Sequence, residues 1–315
     1  MPSNVIRPHA RNAAPTCAHD GAGDFSGLWV PLVTPFTDTG AVDHAALRAL
    51  VRRLRGEGIA GFVACGSTGE AAALETEEQD AVLATVIEAA QGLPVVMGLS
   101  GYHLGHMLTR VRSLAQRGLA GLLVPAPHYV RPSQAGLVQW FEAIAHASAV
   151  PLIVYDIPYR TGATLELSTL RTLARHPRIR AIKDCGGNAA KTQALIADGA
   201  LQVLAGEDAQ IVTTLAWGGA GAIAASAHWQ PARLAACMAA IAQGDLPRAR
   251  ALWRSLAPLV DAFFAEPNPA PIKALLSSQG WMAPTLRSPM TQASPALVQR
   301  LSDLATAQAQ EGARW

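Results

Sequence analysis

Eight short apolar runs at near-regular spacing, helical patterns between them and a strand-free C-terminal stretch predict an α/β chain. The expected architecture is a (β/α)8 TIM barrel with a C-terminal helical appendage. The runs are Leu28–Thr34, Gly61–Gly66, Pro94–Ser100, Gly121–Ala126, Pro151–Ile157, Ile179–Cys185, Leu201–Gly206 and Gly221–Ser226, so successive starts lie 20 to 33 residues apart. That interval holds one strand, one helix and two short loops. Asp43–Gly56, Thr76–Gln91, Leu104–Gly118 and Ser133–Ala147 repeat apolar residues at helical spacing. Several open on capping residues: Asp43, Thr76 with Gln79, and Ser133 after Pro132. After the eighth unit only helical stretches remain, at Leu246–Phe264, Pro269–Gln279 and Pro295–Gln308. The expected division is a disordered tail over 1–24, a barrel over 25–243 and C-terminal helices over 244–315. A doubly wound open sheet is the alternative.

Half of the 315 residues are hydrophobic and 15% are charged, enough apolar material for a large core. A net charge of +2, with no arginines interleaved with aromatics, argues against nucleic acid as a partner. Arg52, Arg53 and Arg55 read as a solvated helix face. The four cysteines (17, 65, 185 and 237) form no C-x-x-C pair, so neither zinc ligation nor a disulfide framework is expected, and a reducing cytoplasm fits. Ile211–Trp229 carries no charge, but Gly218, Gly219 and Gly221 make it a helix end, a turn and a buried strand rather than a membrane span. Residues 1–24 lack the apolar core of a secretory signal.

Lysine is scarce. Only Lys183, Lys191 and Lys273 occur, against 22 arginines. Lys183 lies in the sixth apolar run, Arg180–Cys185. In an apolar site an ammonium is disfavoured, and an amine able to form a Schiff base results. A lysine snorkelling to water from a strand end is the alternative. Alternation along a strand puts Lys183 on one face with Ala181 and Cys185, inside the barrel, and turns Ile182 and Asp184 toward the helices.

In such a barrel the site forms at the C-terminal strand ends. Reactive residues gather there: Gly66–Ser67–Thr68–Gly69–Glu70, His128–Tyr129–Val130–Arg131–Pro132, Tyr155 through Arg160–Thr161–Gly162, Lys183, and Gly206–Glu207–Asp208. A Gly-Ser-Thr-Gly turn offers amides and hydroxyls to an anion, though an ordinary strand–helix turn looks the same. Tyr155 could equally be core, and Arg160 a loop cap.

Taken together with Thr34–Pro35, the Pro127–Ser133 segment, Tyr155–Gly162, Ile182–Lys183, Glu266–Pro269 and Leu286–Met290, these motifs resemble, in order, the dihydrodipicolinate synthase / N-acetylneuraminate lyase family of class I aldolases. The resemblance runs from about Gly27 to Thr291. It implies that Lys183 forms the Schiff base with pyruvate, that Tyr155 and Ser67 relay protons, and that Tyr129 reaches into a neighbouring subunit's site. It implies further that Ser67 and Thr68 hold the pyruvate carboxylate and that Gly206 and Ile223 line the lysine. No metal or cofactor is implied, and a homotetramer built as a dimer of dimers is.

Arg160 matches the synthases' arginine for the carboxylate of aspartate semialdehyde, so condensation of that aldehyde with pyruvate is the expected reaction. Cys185 and Ala225 make a poor polyol lining, against a sialate lyase. Asp184–Cys185–Gly186–Gly187 departs from the synthase pattern toward 4-hydroxy-2-oxoglutarate or 2-keto-3-deoxygluconate aldolases. Strand three ends Met97–His103 rather than in the usual pattern, and His228 replaces a common asparagine. A non-catalytic keto-acid-binding paralogue would explain the departures but not Lys183, Tyr155, Tyr129 and Ser67 together. Tyr102, His106 and His128 stand where lysine-inhibited synthases bind lysine, so lysine feedback is expected to be absent.

Overall fold

The computed structural model describes residues 23–312. Eight parallel strands, β1 (Gly27–Pro31), β2 (Gly61–Ala64), β3 (Val95–Gly98), β4 (Gly121–Pro125), β5 (Leu152–Asp156), β6 (Ile179–Asp184), β7 (Gln202–Ala205) and β8 (Gly221–Ile223), pair in chain order and close with β8 against β1. The barrel is the predicted one, and the open sheet is excluded. Around it run α1 (His44–Leu54), α2 (Thr76–Ala90), α3 (Leu104–Ser113), α4 (Gln134–Ala147), α5 (Pro158–Thr161), α6 (Leu167–Leu173), α7 (Ala189–Asp198), α8 (Ile211–Ala216) and α9 (Pro231–Ala242). The appendage is α10 (Leu246–Phe263), α11 (Ala270–Ser278) and α12 (Pro295–Gly312), with α10 packed against α9 and α12.

Two cores follow from strand alternation. Inward residues, among them Val63, Val96, Leu123, Ile153, Ala181, Leu204 and Ile223, fill the barrel. Outward ones, such as Phe62, Val124, Val154 and Ile182, pack under the helices. Phe25 and Trp29 plug the lower end, their ring centroids 5.8 Å apart. Gly61 opens β2 there because a Cβ would fall 2.5 Å from the Trp29 ring. Of the tail expected over 1–24, only Gly23 and Asp24 are described, and Asp24 accepts a hydrogen bond from Gln202 at 2.7 Å. The rest of it, Cys17 included, lies outside the described residues.

Local expectations fare unevenly. Asp43 and Ser133 cap α1 and α4 as anticipated, their side chains accepting from the amides of Ala46 and Gly136. The cap of α2 is one residue earlier than the Thr76–Gln79 reading. Glu75 is the N-cap, and Glu78 closes the box by accepting from the Glu75 amide at 3.0 Å. The stretch 211–229 resolves into α8, a glycine turn, β8 and a 3₁₀ turn at Ala225–His228. No helix among the described residues is long and apolar enough to cross a membrane. Of the three arginines read as a solvated face, Arg53 departs: it donates to the His228 carbonyl at 2.6 Å and stacks over Trp281, 4.9 Å from the ring centroid.

Candidate active site

Strand register builds the centre of the site. β5 and β6 pair with Tyr155 opposite Lys183, and both point inward. The Lys183 Nζ lies 4.5 Å from the Tyr155 ring centroid. Lys183 is 5% exposed and makes no ion pair among the described residues. With no ion pair or hydrogen bond to hold it among the described residues, the Nζ is free to reorient toward a molecule in front of it.

Above the two residues opens a cavity of about 340 Å³, walled by Ser67, Thr68, Tyr155, Arg160, Lys183, Gly206 and Ile223. Seven of the eight residues singled out from the sequence thus meet at one place. The eighth, Tyr129, does not line it: it stands 89% exposed on the loop after β4. That loop holds two non-glycine residues at positive φ, Tyr129 at 74° and Arg131 at 45°, a conformation that concentrates at functional sites.

The Gly66–Glu70 turn is fixed from three sides. Ser67–Gly69 forms a 3₁₀ turn, with Cys65 before it and Glu70 after it at φ 53° and 52°. Thr34 donates to the Gly69 carbonyl at 2.7 Å. From the appendage, Asn268 donates to the Thr68 hydroxyl at 2.9 Å. Lys273, wholly buried, pairs with Glu70 at 2.5 Å and donates to the Thr285 carbonyl. Arg287 forks onto Glu78 with two 2.6 Å bonds, holding that carboxyl down to about 2, and its own amide donates to Glu70. The Glu-Pro-Asn-Pro and Leu-Arg-x-Pro-Met segments therefore serve as braces for the Gly66–Glu70 turn.

Burial pushes the Tyr155 phenol well above its ordinary range, and a hydrogen bond with Ser67 and the charge of Arg160 partly oppose this. The phenol is a proton donor at neutral pH. Burial likewise raises the Cys185 thiol, against the pull of Lys183, so this residue is a small apolar filler of the barrel interior. Asp208, in the cavity wall, is buried and accepts from the Ser226 amide at 2.6 Å, tying the segments after β7 and β8 together.

Several lining residues, Tyr159, Glu207 and Asn268 among them, stand in the sequence motifs without an assigned role. Tyr159 donates to Glu207 at 3.1 Å at the mouth, beside Arg160. Asn268 keeps a buried carbonyl oxygen without a partner, facing the cavity wall it shares with Thr68.

The departures divide by the face they occupy. In Asp184–Gly187 only Cys185 joins the barrel interior, whereas the Asp184 side chain bonds Thr192 of α7. His228 is buried, accepts from the Val33 amide at 3.1 Å and hydrogen-bonds the Ala225 carbonyl at 2.8 Å. Desolvation lowers it to about 4, so it is a neutral structural link. Tyr102 and His128 meet edge to face at 5.4 Å, and His103 and His106 stack at 4.1 Å.

Residues 24–308 match the model of the dihydrodipicolinate synthetase family. The chain is 38% identical over 283 residues to a 4-hydroxy-tetrahydrodipicolinate synthase of Sorangium cellulosum, covering 88% of this chain and 94% of that one. It is 36% identical over 284 residues to the Haloarcula marismortui protein of the same name, covering 89% and 93%. Among solved structures it is similar to the dihydrodipicolinate synthase of Acinetobacter baumannii complexed with pyruvate, at TM-score 0.87 and 31% identity over 90% of this chain and 99% of that one. The Aquifex aeolicus dihydrodipicolinate synthase is alike, at 0.87 and 29% over 90% and 98%. With barrel, motifs and relatives in agreement along nearly its whole described length, the chain belongs to the dihydrodipicolinate synthetase family of class I aldolases.

Proposed function

We propose that this enzyme is a 4-hydroxy-tetrahydrodipicolinate synthase, a lyase that condenses pyruvate with aspartate semialdehyde through an imine on Lys183. The observation that carries the reading is the convergence of Lys183, Tyr155, the Ser67–Thr68 turn and Arg160 on one cavity. Pyruvate binds with its carboxylate on the Ser67–Gly69 turn, where backbone amides and two hydroxyls face the anion. The Lys183 amine adds to the keto carbon, and the Tyr155 phenol protonates the departing oxygen as water leaves. The resulting iminium withdraws electrons, so the methyl group gives a proton to the Tyr155 phenolate, which restores the phenol, and an enamine forms. The enamine carbon attacks the aldehyde carbon, and the new alkoxide takes a proton from the tyrosine–serine relay.

Arg160 at the mouth suits the carboxylate of the second substrate, and Glu207 beside it suits an ammonium. A partner bearing both, as aspartate semialdehyde does, meets both. Because none of the four residues of the Asp-Cys-Gly-Gly segment lines the cavity, that departure argues little for a hydroxy-keto-acid aldolase. Tyr129, exposed on a strained loop, supports a homotetramer in which it completes a neighbour's site. A cytoplasmic location suits reduced Cys65, Cys185 and Cys237.

Pyruvate consumption by the purified enzyme, with and without aspartate semialdehyde, tests the reading. Consumption that requires the semialdehyde and vanishes in Lys183→Ala is expected. Protein that still traps pyruvate under borohydride but consumes none is instead an aldolase of another keto acid, and protein that traps none is a binder.

A further inference from the structure

Directly behind the two reacting residues lies a buried charge cluster. β5 and β6 end Tyr155–Asp156 and Lys183–Asp184, with Asp156 opposite Asp184 in register. Alternation that turns Tyr155 and Lys183 inward turns both carboxylates outward, toward α7, where they are 1% and 6% exposed. Neighbouring parallel strands stand about 4.8 Å apart, so two unscreened carboxylates here repel. α7 supplies the answer from its first turn. The Lys191 ammonium, itself buried, pairs with Asp156 and donates to the Leu165 carbonyl at 3.1 Å. Thr192 donates to Asp184 at 2.5 Å, and the Gly186 and Leu165 amides donate to Asp184 and Asp156 at 2.8 and 3.4 Å. The N-cap Asn188 holds the turn by accepting from the Lys191 amide at 3.0 Å.

Gly186 belongs to the same unit. A Cβ on it would lie 2.7 Å from both Asp156 Oδ2 and Lys191 Nζ, so no side chain fits there while the ion pair is in place. Asp156, Asp184, Gly186 and Lys191 are therefore interdependent, and the segment that departs from the synthase pattern is the wall of a charge clamp. A buried ion pair adds little net stability over an apolar replacement of similar volume. What it does impose is geometry, because each member has directional partners on a different element.

We propose that Lys191 is a positioning residue: it ties the ends of β5 and β6 to α7 and so holds the Tyr155 hydroxyl and the Lys183 amine at their reacting separation. This rests on Lys183 being the imine-forming lysine. Lys191→Met leaves two adjacent buried carboxylates without a cation. Misplacement of reacting groups by about 1 Å costs on the order of 100-fold in rate. We therefore expect kcat, and the rate of borohydride trapping with saturating pyruvate, to fall about 30-fold, with the pyruvate KM changed less than about twofold. Adding Asp156→Asn removes the carboxylate that Lys191 pairs with, ends the repulsion with Asp184, which keeps its Thr192 and Gly186 donors, and leaves an amide that can bridge the strands. The double variant is expected to recover to about fivefold below the unsubstituted enzyme.

The measurement is kcat, KM and trapping rate on folded protein for both variants, with the reduced adduct mapped among the three lysines. Unchanged kcat and trapping in Lys191→Met, with only the unfolding temperature lowered, overturns the clamp and leaves Lys183 in its role. An adduct on Lys191 or Lys273 overturns the Lys183 reading and the clamp with it. Should Lys191→Met fail to fold, the double variant decides: a several-fold lower kcat at constant KM supports the clamp, and full activity overturns it.

Discussion

Lys273 and Lys183 are buried beside the same barrel mouth, and each ammonium faces an aromatic ring, Phe36 at 4.2 Å for one and Tyr155 at 4.5 Å for the other. They differ in the second partner. Lys273 has the Glu70 carboxylate and the Thr285 carbonyl, whereas Lys183 has an open cavity in front of it. The first arrangement fixes a charge, and burial still draws the Lys273 ammonium below its ordinary value despite Glu70. The second leaves an amine able to move onto a carbonyl carbon. Depth of burial therefore does not distinguish the two lysines, whereas a fixed hydrogen-bonded partner does.

The largest effect that tests this contrast is on Lys183. Lys183→Arg keeps the charge but cannot form an imine, so trapping should disappear and turnover should fall by at least about 1,000-fold, with the unfolding midpoint little changed. Residual adduct in peptide mapping would break the contrast. Lys273→Met should do the reverse. It strands Glu70 in the core at a cost of about 3–5 kcal/mol, read as a lower urea midpoint, while the protein that remains folded still traps pyruvate. A variant with normal stability would show that Glu70 finds another partner.

His228 sharpens the comparison, since it is a third buried base and is kept uncharged. Its folded value of about 4 lies below the unfolded value of about 6.5, so the unfolded chain binds more protons between them. Stability is therefore fully present above about pH 6.5 and falls as the pH drops toward 4, by up to about 3 kcal/mol from this group. Between pH 7 and 5, His228→Asn should lose less stability than the parent, and equal losses would remove the group from the account. The smallest effect expected is none at all: millimolar lysine should leave turnover unchanged, because His106, His128 and Tyr102 offer no carboxylate to its ammonium groups.

Strand positions were legible because each strand is a short apolar run bounded by turn residues, and the predicted starts fall on or within one residue of the observed ones. The ends were overshot: the chain stays extended past the last ladder bond to carry Thr34 to the Gly69 carbonyl, and it coils into a 3₁₀ turn after Ile223. Residues of the site that sit on strands were legible for the same reason as the strands themselves. Lys191 and Asn268 were not, because their partners lie 35 and 200 positions away and no local pattern announces them. The scarcity of lysine drew attention to Lys183 alone, and the structure shows that Lys191 and Lys273 are interior as well.

A chain that keeps every lysine inside and writes 22 of its cations as arginine presents a surface without side-chain amines. Reagents that acylate amines, and enzymes that acetylate lysine, therefore meet only guanidinium groups on the folded barrel. A carbonyl compound that forms an adduct on a lysine of the native protein must reach the interior to do so, which makes an adduct on Lys183 a report on access to the barrel mouth.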